Sequence, residues 1–565
     1  MNKQTLVSML MATSAVLGVS GAVAPLPGNP KSVIYFGWDT LGAKTEDVYR
    51  DRTKFAETGF DGICMPLTGK TEGGKVVDGK YPIRKDRFTR EMFADSIVKI
   101  KEMMKFKGLS GSYLQVYWMS TPRLKWDDDA AWETFAANMR FLAEIAKETG
   151  LKGLFIDHED YTGKPLFRWR QGEDPSFRDT LKLARRRGHQ IVGATAAGFP
   201  EGRIINDRLL TQWQECLFRQ QQPAEAYCLQ RQDLWAAFVN GGLEAKPDGF
   251  GFEDGCEAGY YVSQIADYEL LKYRAKIEAR ALLEEGLRAK HLATTKVCFG
   301  KYFDYWFMEK WQGKPRPPFS SGVFAESFFN AGAVCDDVYW VYGEKNSIIR
   351  WGRKVRSNVD CETSWNDRIP DLATILRVSV GDYSQLRELA DGGLLTNLIS
   401  NAGCASPDGK WPKPFGTYVD KKNEREGLFA WDGAVGCAAP GALCLSGVGN
   451  VCVSGQGLRP YDRLFVRFAA KGRTPNVNIV WRAKGRGYLW DLDTLFLGRP
   501  CRVDENGWKH YEAVLTVPLR LPPANDDGTP GAESVAPIDS VGLIFGGMAS
   551  QDAPVWFDDI SIYKW

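Results

Sequence analysis

The stretch Asp127–Tyr161 reads DDDAAWETFAANMRFLAEIAKETGLKGLFIDHEDY. In it Trp132, Phe135, Met139, Leu142 and Ile145 recur three or four residues apart, which places them on one face of a helix. The spacing predicts a helix over Asp127–Thr149, and Gly150 ends it, because glycine takes up the left-handed C-terminal conformation without a Cβ clash. A short apolar run follows, Lys152–Glu159, closing in a cluster of acids. It is too short for a helix and reads as a buried strand. A helix feeding straight into a buried strand is the repeating unit of a parallel α/β sheet.

The same alternation extends in both directions. Apolar runs fall at Val33–Thr40, Asp61–Leu67 and Ser112–Trp118 before this stretch, and at Gln190–Thr195, Asp248–Asp254, Lys296–Asp304 and Asp336–Glu344 after it. Helical patterns lie between them: Thr45–Thr58, whose Thr45 can cap and is followed by acids, Asp174–Gly188, ended by its glycine, and the long Ser263–Gly286. Eight runs with intervening helices fit a (β/α)8 barrel best. An open doubly wound sheet is the alternative, but no Gly-rich phosphate loop of familiar spacing supports it.

Near residue 395 the helical period vanishes. Short alternating runs take over, with Gly, Pro and Asn between them: Leu464–Ala469, Val477–Trp481, Tyr511–Val517, Val541–Phe545 and Val555–Tyr563. This is the pattern of an all-β sandwich. The expected organisation is a signal peptide over 1–24, a barrel over 25–390 and a β-sandwich over 391–565. The signal rests on Lys3, the apolar stretch Leu6–Val19 and the small residues Ser20, Gly21, Ala22 and Ala24, with cleavage after Ala22 or Ala24. It implies export to the periplasm or the extracellular space. No membrane span is expected once it is cleaved, since the apolar run falls short of the roughly 20 residues a span needs.

Composition narrows the function. Lys and Arg number 72 against 70 Asp and Glu, so no basic field exists to hold a nucleic-acid backbone. The 19 Trp and 21 Tyr suit stacking on sugar rings and equally suit a large aromatic core. Only 4 His are present, and none of the 12 Cys stands in CxxC or Cys/His spacing, so no metal site is indicated. Cys437, Cys444, Cys452 and Cys501 share the last module and are open to disulfide pairing of undetermined connectivity.

In a (β/α)8 barrel the chemistry sits where strands end. The runs end in Phe36-Gly-Trp38-Asp39, Tyr117-Trp118, Asp157-His-Glu159-Asp-Tyr161, Glu253-Asp254, Asp304-Tyr-Trp306 and Trp340-Val-Tyr-Gly-Glu344. Acids and aromatics thus gather at one rim. Asp157 and Glu159 are two apart on a strand, so both face one side, about 6.5 Å apart along it. Two carboxyl groups across a glycosidic bond are the machinery of a glycosidase, and crowding raises the pKa of one of them. Glu253 and Asp254 are the candidates for a partner across the barrel. Trp38, Asp39, Trp118, Tyr161, Asp304, Trp306, Trp340 and Glu344 are the candidate substrate contacts, each aromatic being equally a core filler. His158, between the two acids, points away from the axis and reads as structural.

Two resemblances attach to these residues. The opening Leu395-Thr-Asn-Leu-Ile-Ser-Asn401, the segment Gly441-Ala-Leu-Cys-Leu-Ser-Gly447 and the closing Val555-Trp-Phe-Asp-Asp-Ile-Ser-Ile-Tyr563 resemble the jelly-roll carbohydrate-binding modules of bacterial glycanases. That resemblance implies glycan binding and structural calcium in the sandwich, although Ala402-Gly-Cys404 replaces the usual Phe-Glu. The ending Asp157-x-Glu159 resembles the Asp-x-Asp-x-Glu motif of barrel chitinases and related hexosaminidases. It implies Glu159 as general acid and Asp157 as its helper, with Phe155 standing where a further Asp would be. The expected function is a glycoside hydrolase acting on a polysaccharide or oligosaccharide, with no cofactor for catalysis. The alternatives are a non-catalytic glycan-binding surface protein and a polysaccharide lyase.

Overall fold

The computed structural model describes residues 23–27, 31–161, 163–211, 224–311, 313–406, 408–418, 428–484, 488–489, 495–519, 536–548 and 553–565. Apart from Val23 and Ala24, the expected signal peptide lies outside the described residues. Contacts divide the chain into two units, Lys31–Ser321 with Ala331–Val380, and Met1–Pro30 with Gly322–Asn330 and Gly381–Trp565.

The first unit is built on eight parallel strands: β1 (Ser32–Gly37), β2 (Gly62–Met65), β3 (Tyr113–Tyr117), β4 (Leu154–Asp157), β5 (Arg203–Asn206), β6 (Gly251–Asp254), β7 (Gly300–Tyr302) and β8 (Val338–Gly343). They form one curled sheet in the order β6-β5-β4-β3-β2-β1-β8-β7. β1 pairs with β8 from Ser32↔Val338 to Gly37↔Gly343, and β3 pairs with β4 from Leu114↔Leu154 to Tyr117↔Asp157. The outer strands β6 and β7 are consecutive in sequence. One parallel bridge, Asp254↔Val297, joins β6 to the residues leading into β7, with Asp254 N–H donating to Lys296 at 2.9 Å and Cys298 N–H donating to Asp254 at 2.7 Å. β2, β3 and β4 are buried along their whole length, as expected of strands covered on both faces.

The stretch Asp127–Tyr161 folds as a helix, Asp129–Thr149, followed by strand β4. The Asp128 carboxylate caps it by accepting from Ala131 N–H, and Gly150 ends it at φ 85°. The fifth expected strand is a correction. Gln190–Thr195 lies inside the helix Phe177–Gly198, which Ser176 caps, and the strand is Arg203–Asn206. The residues Ala184, Ile191, Val192 and Thr195 are buried at helical spacing. Gly188 does not stop this helix. It lets the helix Trp235–Ala245 approach, since a Cβ at Gly188 would stand 1.9 Å from the Phe238 carbonyl, and one at Gly241 would stand 1.9 Å from that of Arg185.

Two other expectations shift. Thr45 is the first helical residue, and its hydroxyl donates to Pro66 O at 2.9 Å, while the Asp47 carboxylate accepts from Lys44 N–H. The long helix Ser263–Gly286 is broken into Ile265–Lys276, a 3₁₀ turn Glu278–Leu282 and a helix Glu285–Thr294.

The second unit carries two antiparallel sheets. One runs Phe429–Asp432, Ala442–Leu445, Val555–Lys564, Arg463–Gly472, Trp508–Thr516 and Arg502–Val503, and the other runs Gly416–Tyr418, Val448–Gln456, Ile538–Met548, Asn476–Ala483 and Tyr488–Leu489. Residues from both sheets, among them Leu443, Val453, Val466, Ile479, Leu515, Leu543 and Phe557, share one apolar cluster. The two ends of the module meet: Thr396 pairs with Lys564, and Asn397 Oδ1 accepts from Ile399 N–H and Ile562 N–H. The helix Ser384–Asp391 belongs to this unit through Arg387, which pairs with Glu512 at 2.9 Å. Val23 bridges to Leu515, and Ala24 N–H donates to Val514 O at 2.9 Å.

Every described cysteine is a free thiol, including Cys437, Cys444, Cys452 and Cys501. Among the described residues no helix is long and apolar enough to cross a membrane.

Candidate active site

A cavity of about 730 Å³ lies where the parallel strands of the first unit end. Phe36 and Trp38 come from the end of β1, Tyr117 from β3, Asp157, Glu159 and Tyr161 from β4, and Asp207 from β5. Glu257, Tyr260 and Tyr261 stand on the 3₁₀ turn after β6, Tyr302 ends β7, and Trp340, Tyr342 and Glu344 come from β8. The walls are aromatic. Tyr260 and Tyr342 stack with centroids 5.6 Å apart, Tyr261 meets Trp311 at 4.5 Å, and Phe36 stacks on Tyr342 at 5.8 Å.

The polar centre is built on Arg208. Its guanidinium pairs with Glu159, with Asp207 at 3.2 Å and with Glu257 at 3.3 Å. Asp157 Oδ1 accepts from Glu159 N–H at 2.8 Å, which fixes the β4 end, and the Tyr161 hydroxyl donates to Glu159. His158 points out of the cavity, stacks on Trp235 at 4.0 Å, and meets Asp207 Oδ1 through Nδ1 at 3.0 Å. It therefore orients Asp207, a structural role as expected.

These surroundings divide the acids. Burial, then the charges of Asp207 and Glu159, push the Asp157 carboxyl well above the usual range. Burial with the same two charges lifts Glu257 to about 8, against the opposing pull of Arg208. Burial also works against the Asp207 carboxylate, but His158 and Arg208 outweigh it and hold that group below its ordinary value. One cavity thus contains carboxyl groups that keep their protons and a carboxylate that does not, the division acid/base chemistry needs. Carboxylate oxygens of Asp157, Glu159 and Asp207 lie within 4.8 Å of one another, so these three could hold a hard cation, and Arg208 supplies positive charge to two of them.

The structure brings together Asp157, Glu159, Tyr161, Trp38, Trp340 and Glu344, and leaves the other expected site residues outside the cavity. Glu253 is buried with Arg203, Asp337 and Cys298, residues at or before the starts of their strands, and burial raises it to about 7. Asp254 accepts from Leu210, Thr211 and Cys256 N–H, so it shapes the loop after β5. Trp118 is core, against Phe135, Trp235 and Phe238. Asp39 is core too, accepting from Ile348 N–H and Trp351 Nε1. Asp304 accepts from Glu344 N–H at 2.7 Å and so places Glu344, and Trp306 is buried. Glu253 thus turns toward the strand starts, Asp39, Asp254 and Asp304 hold loop backbone, and Trp118 packs in the core.

Asp207, Arg208 and Glu257 are the residues the sequence reading missed. Arg203-Ile-Ile-Asn-Asp207 has the same form as the other runs, apolar and ending in an acid, and would have revealed the first two. Glu257 follows its strand by three residues, so strand-end logic does not reach it.

A parallel α/β sheet with an acidic, aromatic cavity at its strand ends, and a separate antiparallel β unit, define the class of molecule. No family model matches the sequence, and no curated protein matches it. Among solved structures the chain is similar to a cyclase from Fischerella sp. TAU, at 12% identity and TM-score 0.22 over 30% of this chain and 98% of that one. It is similar to TmCBM61 in complex with β-1,4-galactotriose, at 12% identity and TM-score 0.20 over 30% and 99%. It is also similar to the enzymatically active domain of bacteriophage CBA120 tailspike protein 4, at 12% identity and TM-score 0.22 over 30% and 21%. Likenesses this low assign the chain to no family.

Proposed function

We propose that the chain is a glycoside hydrolase whose substrate lies in the aromatic cavity of the first unit. The observation that carries this reading is the set of acids around Arg208, divided between protonated and ionised forms and walled by Tyr and Trp rings. Glu257 is the general acid, since it keeps its proton at neutral pH and can give it to the leaving oxygen. Glu159 and Asp207, both bound to Arg208, are the carboxylates that balance positive charge developing on the sugar or activate water. Trp38, Tyr261 and Trp311 offer ring faces to sugar. The same reading takes the eight-stranded sheet as a closed (β/α)8 barrel, supported by the bridge between β6 and the approach to β7. It takes the second unit as an appended glycan-binding module and the chain as exported.

The test is a screen over polysaccharides and oligosaccharides for release of reducing ends, with the anomeric configuration of the first product read by proton NMR. Wild type turns over at least one glycan, and Glu257→Gln and Glu159→Gln each lower that turnover by about 10²–10⁴. Saturable binding without turnover would instead establish the non-catalytic reading. An unsaturated product would establish a lyase. Unimpaired turnover in both variants would remove the assignment of this cavity.

A further inference from the structure

The second unit carries a cluster that no sequence spacing announced. Cys437 Sγ, an Asp504 carboxylate oxygen and a His510 ring nitrogen all lie within 4.8 Å of one another. His510 Nε2 and Asp504 Oδ2 are 3.1 Å apart. Around a tetrahedral zinc ion, with bonds of about 2.0 Å to N and O and about 2.3 Å to S, donor atoms stand roughly 3.3–3.6 Å apart, so small rotations would bring the three into register.

Asp504 and His510 share one turn and strand, Cys437 comes from a separate loop, and all three are held in place. Asp504 Oδ1 accepts from Asn506 N–H at 3.0 Å and Trp508 N–H at 2.9 Å, which leaves Oδ2 turned to His510. His510 is fixed within the strand Trp508–Thr516. Trp508 Nε1 donates to Gly436 O at 3.0 Å and Cys437 N–H donates to Asp558 Oδ2 at 2.7 Å, so the loop bearing the thiol is tied from both sides. Groups that orient ligand-bearing segments in this way are the usual support of a metal centre.

The donor set also bears on the calcium implied by the module resemblance. Calcium takes six to eight oxygen ligands. Here Asp558 is engaged by the Cys437 and Asp559 backbone N–H groups, and the residues around this Asp pair include the thiols of Cys404 and Cys437. Sulfur and imidazole nitrogen do not suit calcium, and they do suit a borderline-soft transition ion.

We propose that Cys437, Asp504 and His510 form a three-ligand site for a divalent ion of the zinc class, its fourth position open to water. Binding forms one bond each to S, N and O, and releases the thiol proton to solvent.

The experiment uses the full chain, freed of metal with EDTA and titrated with Co²⁺. One equivalent should bind, with thiolate-to-cobalt charge-transfer absorption and the visible bands of tetrahedral cobalt, both removed by added Zn²⁺. Cys437→Ser should abolish the charge-transfer band, and His510→Ala should lower affinity at least 10-fold. Cys452→Ser, on the other sheet, should leave both unchanged. Full-intensity absorption in Cys437→Ser, or no charge-transfer band in wild type, overturns the proposal. A second measurement needs no variant: Zn²⁺ should raise the thermal midpoint of the wild-type chain over its EDTA-treated form, and an unchanged midpoint would count against the site.

Discussion

Glu257→Gln tests the central assignment. Glu257 is raised from an ordinary 4.5 to about 8 by burial and by the charges of Asp207 and Glu159. At pH 7 a carboxyl with a pKa of about 8 is about 90% protonated, whereas an unperturbed Glu is about 0.3% protonated. The cavity therefore keeps roughly 300 times more of this residue in the form that can protonate a leaving group. A glutamine fills the same space with no proton to give, so kcat on the glycan found in the screen should fall by about 10²–10⁴. The pH profile gives the sharper readout. In wild type kcat/KM should decline above a pKa near 8, because the acid is lost as pH rises through it. In the Gln variant that limb should be absent. Asp207→Asn removes one of the charges that raise Glu257, so in that variant the limb should move to lower pH. A Gln variant within 10-fold of wild type that still declines near pH 8 would refute the assignment.

Four further outcomes are expected. Glu253 is raised from 4.5 to about 7, so the folded state keeps a proton that the unfolded chain releases. Stability should therefore fall by about 3 kcal/mol as pH rises from 4.5 to 7 and then level off; urea midpoints at pH 5 and pH 8 should lose this difference in Glu253→Gln, and parallel behaviour in the two proteins would refute it. Trp118→Ala should destabilise the first unit by about 3–5 kcal/mol by thermal melt, as loss of a fully buried indole does. Trp38→Ala should leave the melt unchanged and weaken glycan binding by affinity electrophoresis, because Trp38 lines the cavity. Gly188→Ala should destabilise by about 1–3 kcal/mol, since its Cβ would meet the Phe238 carbonyl at 1.9 Å, and a neutral effect on the melt would contradict that close helix packing.

The pattern of alternating helices and short apolar runs carried most of the architecture, because burial on both faces of a parallel strand demands continuous apolar sequence. Seven of the eight strands were legible in this way, together with the antiparallel module and its paired ends at Asn397 and Tyr563. Gln190–Thr195 and Ile204–Ile205 are both apolar and short, and periodicity alone does not separate a buried helix face from a strand. Placing the fifth strand twelve or so residues early hid Asp207 and Arg208, the residues around which the cavity is organised.

By itself the sequence determined that acids and aromatics stand at the ends of parallel strands, and it singled out Asp157 and Glu159 among them. Only the tertiary structure decided which acids share a cavity. Glu253 and Asp254 end a strand as convincingly as Asp157 does, yet one faces Arg203 and the other holds a loop. The direction of a side chain at a strand end depends on the turn that follows, and its protonation depends on charges from other strands. The same holds for Cys437, which is distant in sequence from Asp504 and His510 and meets them because its loop is tied to the strand and turn that carry the other two.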